Sequence, residues 1–338
     1  MASRDRSAPC IGRRAVLAAG ATLVATPVLA QPDCTLGVPE HERGPTVFGD
    51  YDQVELDVAY DQDFYQAHID RTNQRLNALS YLARTRLGDP ERAAYGEAQW
   101  EGMDIYRTSG SGRPVFVFIH GGTWRYLNAA IAGFAAEMFV DAGAHYVALD
   151  FADVRAMDGD LGALAAQVRN GIAWVAHNAE SFGGDPARIY VGGHSSGGHL
   201  CAVALVTDWE QDHGLPADVI KGGLCMSGIY DLAPVRLSWR RSYIAFTDAM
   251  EAALSPQRHV ARVRAPLVVS CGSYETPEFQ RQAREFVAAA TAAGKAVTLV
   301  QAPNFHHQDM WESLGNPYGP NGRAALAMMG LGKGGSSG

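Results

Sequence analysis

The chain contains 338 residues, of which 47% are hydrophobic and 19% are charged. This is the balance of a globular protein, and the length allows one large domain or two small ones. The formal net charge is −8. Such a chain repels phosphate backbones, and because no basic stripe offsets the negative charge, we expect no nucleic-acid partner.

The first 30 residues are predicted to form an export signal. Arg13 and Arg14 precede an uncharged stretch, Ala15 to Ala30, that ends in small and apolar residues. This arrangement is typical of signal peptides, and the twin arginine resembles a bacterial Tat signal. We therefore expect cleavage after Ala30 and a periplasmic or secreted protein. An uncleaved anchor is disfavoured, because about 16 apolar residues broken by Pro27 are too few for a comfortable span. We expect no stable membrane insertion.

Residues 31–329 are predicted to form the folded domain. Within it, residues 59–87 have the pattern of a long helix, and residues 231–262 separate two predicted strands by more than a normal crossover. The second feature indicates a cap or lid insertion. The glycine-rich segment 330–338 is predicted to be a flexible tail. Three cysteines lie in or beside apolar runs, as buried thiols do: Cys201, Cys225 and Cys271.

Short apolar runs alternate with helical patterns from about residue 98. The runs that predict strands are Val115–Ile119, Tyr146–Leu149, Ile189–Val191, Leu224–Met226, Leu267–Val269 and Val297–Val300. The clearest helical patterns are Leu161–Glu180 and Pro277–Ala293. Alternation of this kind predicts an α/β fold with a mostly parallel central sheet, helices on both faces and a small helical cap.

A nucleophile motif follows the third of these strands. Gly193-His194-Ser195-Ser196-Gly197 lies between the strand Arg188 to Val191 and a helix that begins near Gly198. This is the Gly-x-Ser-x-Gly pattern in the strand–turn–helix setting that it requires, and the turn presents the serine hydroxyl at the carboxyl end of the sheet. We predict Ser195 as the nucleophile and His194 as a substrate-binding neighbour. A glycine-rich turn without a catalytic role is the alternative.

A second motif, His120-Gly121-Gly122-Thr123-Trp124, directly follows the first predicted strand. Glycines at this point let backbone amides approach a reacting carbonyl. His120 is expected to brace the loop, and Trp124 either lines the substrate pocket or packs in the core. The predicted oxyanion donors are the amides of Gly121, Gly122 and Ser196.

The acid of a triad in the order Ser, acid, His is expected after a late strand. Glu275 is the first carboxylate beyond the strand that contains Leu267–Val269. Glu278 is the near alternative, but it lies inside the following helix, where we expect it to face solvent. Asp248 falls in the predicted lid and is less well placed.

The base is expected in the loop after the last strand, Asn304 to Asp309. His306 and His307 are adjacent there and cannot both point the same way, so one is predicted to be the base and the other to pack or to contact substrate. No HExxH-type spacing and no third ligand accompany the pair. We expect neither a metal nor another cofactor.

The motifs together resemble those of a known family. From about residue 57 to 318 the chain resembles α/β-hydrolases of the kynurenine-formamidase-like group, near hormone-sensitive-lipase-type carboxylesterases. The resemblance implies the α/β-hydrolase fold, an acid at Glu275, and a catalytic histidine five residues before the Glu of Glu-x-Leu, which is His307. His306 then becomes a substrate-side neighbour. Besides the two glycine motifs, the resemblance rests on Phe182-Gly183-Gly184-Asp185-Pro186, Glu275-Thr276-Pro277-Glu278-Phe279 and Glu312-x-Leu314-x-Asn316-Pro317-Tyr318.

Two departures from the family pattern bear on function. Many esterases have a third glycine where Thr123-Trp124 stands, which favours the formamidase-like branch, and the usual Asn-His-Phe is replaced by His306-His307-Gln308. The resemblance implies a serine hydrolase acting on a small-molecule carboxylic ester, with an amidase or arylformamidase as the alternative. A non-catalytic binding protein is a third reading, against which the complete set of nucleophile, acid and base argues. The sequence leaves the oligomeric state open.

Overall fold

The computed structural model describes residues 38–66 and 68–332. The predicted export signal, residues 1–30, and most of the predicted tail, residues 330–338, lie outside the described residues. In the described part of the chain, no helix is both long enough and apolar enough to cross a membrane.

An eight-stranded sheet forms the centre of the fold. Its strands are Glu91–Ala94 (β1), Gly102–Tyr106 (β2), Arg113–Ile119 (β3), His145–Leu149 (β4), Gly184–His194 (β5), Ile220–Met226 (β6), Leu267–Gly272 (β7) and Val297–Ala302 (β8). Their spatial order is β1-β2-β4-β3-β5-β6-β7-β8. The pairs β1–β2 and β2–β4 are antiparallel, and every other neighbouring pair is parallel.

Helices connect the strands and cover the sheet. They are Gln53–Ala59 (α1), Ile69–Leu87 (α2), Ala136–Asp141 (α3), Leu161–Asn178 (α4), Ser196–Leu205 (α5), Trp209–His213 (α6), Ala233–Leu237 (α7), Asp248–Ala253 (α8), Pro277–Ala292 (α9), His307–Glu312 (α10) and Pro320–Met328 (α11). Short 3-10 turns join several of them.

The two faces of the sheet carry separate hydrophobic cores. Side chains alternate along a strand, so Val115 and Val117 of β3 pack with residues of α4, α5 and α9, whereas Phe116 and Phe118 pack with residues of α2, α3 and α11. Burial on both faces explains why the central strands read as continuous apolar runs. The predicted α/β class, with helices on both faces of a mostly parallel sheet, is confirmed.

All six strands predicted from apolar runs are present, but β1 and β2 were not predicted. Strand β1 has no apolar run because it lies at the sheet edge and is largely exposed. Strand β2 is fully buried. However, it includes Asp104, whose carboxylate pairs with Arg84 and Arg92, and this interrupts the apolar pattern.

The long helix predicted over residues 59–87 is present as α2 and ends at Leu87 as expected, but it begins at Ile69 and not at Ala59. Helix α1 already ends at Ala59, and a 3-10 turn at Gln62–Phe64 precedes α2. Asp61 accepts a hydrogen bond from the amide of Asp63 through its side chain, which starts a new turn instead of continuing the helix.

The insertion predicted at residues 231–262 lies between β6 and β7 and contains α7, α8 and three 3-10 turns. We call it the cap segment. It is bonded to α1 at two points, where the amide of Trp239 donates to Asp57 (2.6 Å) and Gln53 donates to the Leu237 carbonyl (2.9 Å). The cap segment is thus fastened to the N-terminal helix.

The three core cysteines are buried and free, as expected. The sulfur atoms of Cys201 and Cys225 lie 3.6 Å apart without forming a disulfide. Burial raises the pKa of the Cys271 thiol to about 12. These thiols therefore pack as small hydrophobic side chains.

Candidate active site

Ser195 occupies a strained turn between β5 and α5. Its φ is 58° and its ψ is −122°, outside the regions that most residues adopt. The turn is held by a hydrogen bond from its amide to the Met226 carbonyl (2.9 Å). Gly197 has to be glycine, because a Cβ there would overlap the carbonyl oxygens of Ile119 and His120 at the end of β3. The predicted elbow geometry is present, and it presses the start of α5 against β3.

The glycine loop after β3 lies directly against this elbow. A Cβ on Gly121 would sit 3.1 Å from the Cβ of Ser195. Gly122, Thr123 and Trp124 have φ values of 98°, 58° and 61°, so the loop is held in left-handed backbone conformations. The amide of Trp124 donates to the Ser196 hydroxyl (3.1 Å), which ties the loop to the first residue of α5.

Three backbone amides at this junction are free to bind a ligand. In the described part of the chain, the amides of Gly121, Gly122 and Ser196 donate to no protein oxygen. Ser196 is the first residue of a helix, where unpaired amides and the positive end of the helix dipole attract negative charge. The assignment of these three amides as oxyanion donors stays a prediction.

His307 and Glu275 form a buried pair. The Nδ1 atom of His307 lies 2.8 Å from Oε2 of Glu275, and the two residues are 4% and 2% exposed. Since a carboxylate accepts, Nδ1 of His307 is the donor in this contact, and Nε2 is the ring nitrogen that Glu275 leaves unengaged. The structure therefore brings together the histidine and the acid that the family resemblance indicated.

Glu275 is held by two further donors that the sequence did not reveal. Its Oε1 accepts from the Ser227 hydroxyl (2.7 Å) and from the Gly272 amide (2.6 Å). Ser227 directly follows β6 and has a left-handed φ of 50°. The sequence signal that could have indicated Ser227 is a polar residue at the end of β6, the strand beside β7. The Ser227 hydroxyl holds the Glu275 carboxylate, which in turn orients the His307 imidazole.

The two alternative acids have other partners. Glu278 is fully buried, so the expectation that it faces solvent is wrong. Its carboxylate accepts from the Tyr60 hydroxyl (2.9 Å) and pairs with Arg281 (2.6 Å). The apolar face of α9 packs on the sheet near this position, so an acid at the helix start is buried with it. Asp248 lies exposed on α8 and pairs with Arg236.

The second histidine, His306, is turned away from Glu275. Its side chain is 29% exposed, and its Nδ1 lies 3.1 Å from Asp309. Its ring contacts Tyr274, with the centroids 5.1 Å apart. A backbone hydrogen bond from His306 to Asp309 completes the start of α10. These contacts are compatible with the predicted substrate-side position but do not require it.

His194 is a structural neighbour of His307. Its Nε2 donates to the His307 carbonyl (2.9 Å), and its ring stacks on Trp311 at 5.5 Å. Burial, together with the adjacent His307, lowers the pKa of His194 well below its ordinary value. The ring is 1% exposed. Its contacts are with the protein, which argues against the predicted role in substrate binding and for a role in positioning His307.

Trp124 packs in the core. It is 1% exposed, and its indole Nε1 donates to Nδ1 of His199 (3.3 Å). Of the two predicted positions for Trp124, packing in the core is therefore the better description. The prediction that it lines the substrate pocket fails, because the left-handed loop turns the indole inward.

His120 has the expected bracing contacts: its Nδ1 lies 2.9 Å from the Gly121 carbonyl, and its ring stacks on Phe151.

One group in the described residues has metal-like spacing. His41, Asp52 and Glu55 bring three ligand atoms within 4.8 Å of one another, away from Ser195 in the chain's N-terminal part. Asp52 and Glu55 already form the capping box of α1, and His41 donates to Asp52 (2.9 Å). The group is explained by helix capping.

Several known proteins are similar to this chain. The BD-FAE family model matches residues 103–221. Kynurenine formamidase of Danio rerio is 30% identical over 259 residues, which make up 75% of this chain and 84% of that protein. A solved structure described as a candidate thioesterase from Silicibacter has a TM-score of 0.69 at 24% identity, covering 78% of this chain and 96% of that one. An esterase of Pyrobaculum calidifontis has a TM-score of 0.63 at 17% identity, covering 79% and 93%.

The sheet, the elbow and the glycine loop define an α/β-hydrolase. The chain belongs to the kynurenine-formamidase-like group of these proteins, near the hormone-sensitive-lipase-type carboxylesterases. It is accordingly a hydrolase of a family whose named members include formamidases and esterases.

The buried histidine below Trp124 predicts a loss of stability in acid. His199 accepts from Trp124 and its Nε2 donates to the Leu254 carbonyl (2.7 Å), so the folded protein holds it neutral. Burial lowers its pKa from 6.5 to about 4. The unfolded chain therefore takes up this proton first, and stability falls as the pH drops from about 6.5 to about 4, by roughly 3 kcal/mol for this residue.

Urea unfolding between pH 7 and pH 4.5 measures this effect. His120 and His194 have lowered pKa values as well. The wild-type free energy of unfolding should therefore fall more steeply with decreasing pH than His199 alone would cause. The His199→Gln variant, which keeps an acceptor and a donor, should be less stable at pH 7 but lose less stability on acidification. Equal slopes in the two proteins would show that His199 does not control this loss.

Proposed function

We propose that the chain is an exported serine hydrolase that cleaves carboxylic esters through an acyl-enzyme, with Ser195 as nucleophile, His307 as base and Glu275 as acid. The observation that carries the proposal is the buried 2.8 Å contact between His307 and Glu275, together with the 4.5 Å distance between the ring centroids of His307 and His194, the residue that precedes the strained Ser195. A paired, desolvated imidazole next to such a serine serves nucleophilic catalysis. Family membership supports hydrolysis as the reaction class.

The proposed reaction has two acyl-transfer steps. The Ser195 hydroxyl attacks the ester carbonyl while its proton passes to Nε2 of His307, and Glu275 stabilises the imidazolium that forms. The same proton is then given to the leaving alcohol. Water then attacks the acyl carbon while His307 takes its proton, the bond between Ser195 Oγ and the acyl carbon breaks, and His307 returns the proton to Oγ as the acid product leaves.

The negative charge of each tetrahedral intermediate needs fixed donors. The free amides of Gly121, Gly122 and Ser196 would supply them without reorganisation, since the glycine loop is locked to the elbow by the Trp124–Ser196 hydrogen bond. The role of Ser227 is to hold Glu275.

A second candidate reaction is hydrolysis of N-formyl or N-acyl aryl amides with the same residues. The observation that favours it is the 30% identity to two fish proteins named kynurenine formamidase, each covered over 84% of its length. The loop sequence Thr123-Trp124, which lacks a third glycine, agrees with that branch.

Variants of the adjacent histidines test the assignment of the base. We expect Ser195→Ala and His307→Gln each to lower kcat/KM for 4-nitrophenyl acetate by at least about 10³-fold, because either change removes the activated nucleophile. His306→Gln is the matched control and should cost less than about tenfold. A fluorophosphonate probe should label the wild type but not Ser195→Ala. Labelling that persists in Ser195→Ala would rule out this nucleophile.

The two candidate reactions are separated by a matched substrate pair. We expect kcat/KM for phenyl formate to exceed that for N-formylaniline, because an amide is the harder bond to cleave and needs protonation of its leaving nitrogen. Both rates should vanish together in Ser195→Ala. A higher kcat/KM for the formyl amide would select the arylformamidase reading instead.

Export is the remaining part of the proposal, and it is supported by the first 30 residues alone. In a bacterial host with a Tat system, a C-terminally tagged chain should appear in the periplasm, shortened at its N-terminus after Ala30. Replacing Arg13 and Arg14 by lysines should keep it in the cytoplasm at full length. Equal periplasmic amounts of both versions would exclude the Tat route.

A further inference from the structure

The peptide group that joins His307 to Gln308 is held on both sides. Its carbonyl, on His307, accepts from Nε2 of His194 (2.9 Å), and its N–H, on Gln308, donates to Oε1 of Gln66 (3.0 Å). Because a trans peptide group is planar and its C=O and N–H point in opposite directions, two such hydrogen bonds fix the orientation of the plane. The Cα atom of His307 lies in this plane, so fixing the plane restricts the direction in which the imidazole leaves the backbone.

Gln66 accepts from an amide that α10 itself cannot pair. Gln308 is the second residue of α10, and the first amides of a helix have no partner within it. Gln66 and Gln308 are 4% and 9% exposed, so water is a poor replacement for the acceptor. The carboxamide of Gln66 is itself oriented, because its Nε2 donates to the Thr72 hydroxyl (3.4 Å). Loss of its oxygen would leave a buried amide unpaired at the start of α10, which favours a shift of the helix start.

The backbone segment that carries Gln66 is also bonded beside the acid. This segment, residues 59–66, joins α1 to α2, and at its other end the Ala59 carbonyl accepts from the hydroxyl of Thr276 (2.8 Å). Thr276 directly follows Glu275 and is fully buried. One segment is therefore bonded to the residue after the acid and to the residue after the base.

We propose that Gln66 is a positioning residue: together with His194 it holds the 307–308 peptide group so that the imidazole of His307 faces Glu275 and the reacting hydroxyl. The inference rests on the proposed function, in which His307 is the base. A displaced base slows the proton transfers of both acyl-transfer steps, since these depend steeply on geometry, but it leaves the binding of substrate unchanged. Gln66 thus acts through His307 and not on the substrate.

The kinetics of 4-nitrophenyl acetate hydrolysis measure this role. We expect Gln66→Leu, which lacks an acceptor, to lower kcat by about 10- to 100-fold, while KM changes by less than about threefold because both acyl-transfer steps slow together. Gln66→Glu keeps an acceptor oxygen in either protonation state, so it should restore kcat to within about fivefold of the wild type. Labelling by a fluorophosphonate probe should slow in Gln66→Leu in proportion to kcat.

Asn73 of α2 provides the matched control. Its Oδ1 accepts from the side-chain amide of Gln308 (3.0 Å), so Asn73→Ala removes a bond between α2 and the same residue but leaves the peptide group held. This variant should keep kcat within about threefold of the wild type. Wild-type kcat in Gln66→Leu, no recovery in Gln66→Glu, or an equal loss in Asn73→Ala overturns the inference.

A smaller change covers the case in which Gln66→Leu does not fold. Gln66→Asn keeps the carboxamide but withdraws its oxygen from the Gln308 amide by one methylene, and urea unfolding checks that the variant is folded. Its kcat should fall by at least about fivefold. A folded Gln66→Asn variant with wild-type kcat overturns the inference.

The Ser195→Ala variant separates this inference from the proposed function. Full activity in Ser195→Ala means that the proposed function has failed. An inactive Ser195→Ala variant beside a Gln66→Leu variant with wild-type kcat means that Gln66 has no positioning role while the proposed function stands.

Discussion

Six parallel strands, β3 to β8, end at one edge of the sheet, and the arrangement of the candidate site depends on that constraint. Backbone hydrogen bonding between neighbours fixes the spacing of their ends, so groups far apart in sequence meet there. Ser195 follows β5, Ser227 follows β6, Glu275 follows β7 and His307 follows β8. The strained turn at Ser195 is tolerated because β3 on one side and the Met226 carbonyl on the other determine its geometry.

Burial sets the protonation states around this edge. His194 and His199 are held neutral by desolvation, and each donates through Nε2 to a backbone carbonyl, of His307 and of Leu254 respectively. Glu275 remains a buried acceptor because three donors converge on it, from Ser227, Gly272 and His307. A carboxylate so well satisfied cannot rotate, and it fixes the imidazole in one tautomer. His194, which lies in the elbow, thus supports His307 through the hydrogen bond to its carbonyl.

In the cap segment, the surface charges are paired but a buried charge is not. The surface carboxylates are neutralised by arginines, whereas the buried Arg240 has aromatic neighbours and, within the described chain, unused donors. Because the cap is bonded to α1 through Trp239 and Gln53, the turn that contains Arg240 is also held by the N-terminal helix.

Local sequence alone determined the central strands, the elbow, the glycine loop and the candidate residues Ser195 and Glu275, since apolar runs, glycine spacing and strand–turn–helix order are local properties. The choice of His307 over His306 needed the family spacing, and the structure adds a physical reason: only His307 reaches Glu275. Other features depended on tertiary contacts. The burial of Glu278, the inward turn of Trp124, the support from Ser227, the break before α2 and the unpaired Arg240 arise from which elements pack together, and no short pattern in the chain encodes that.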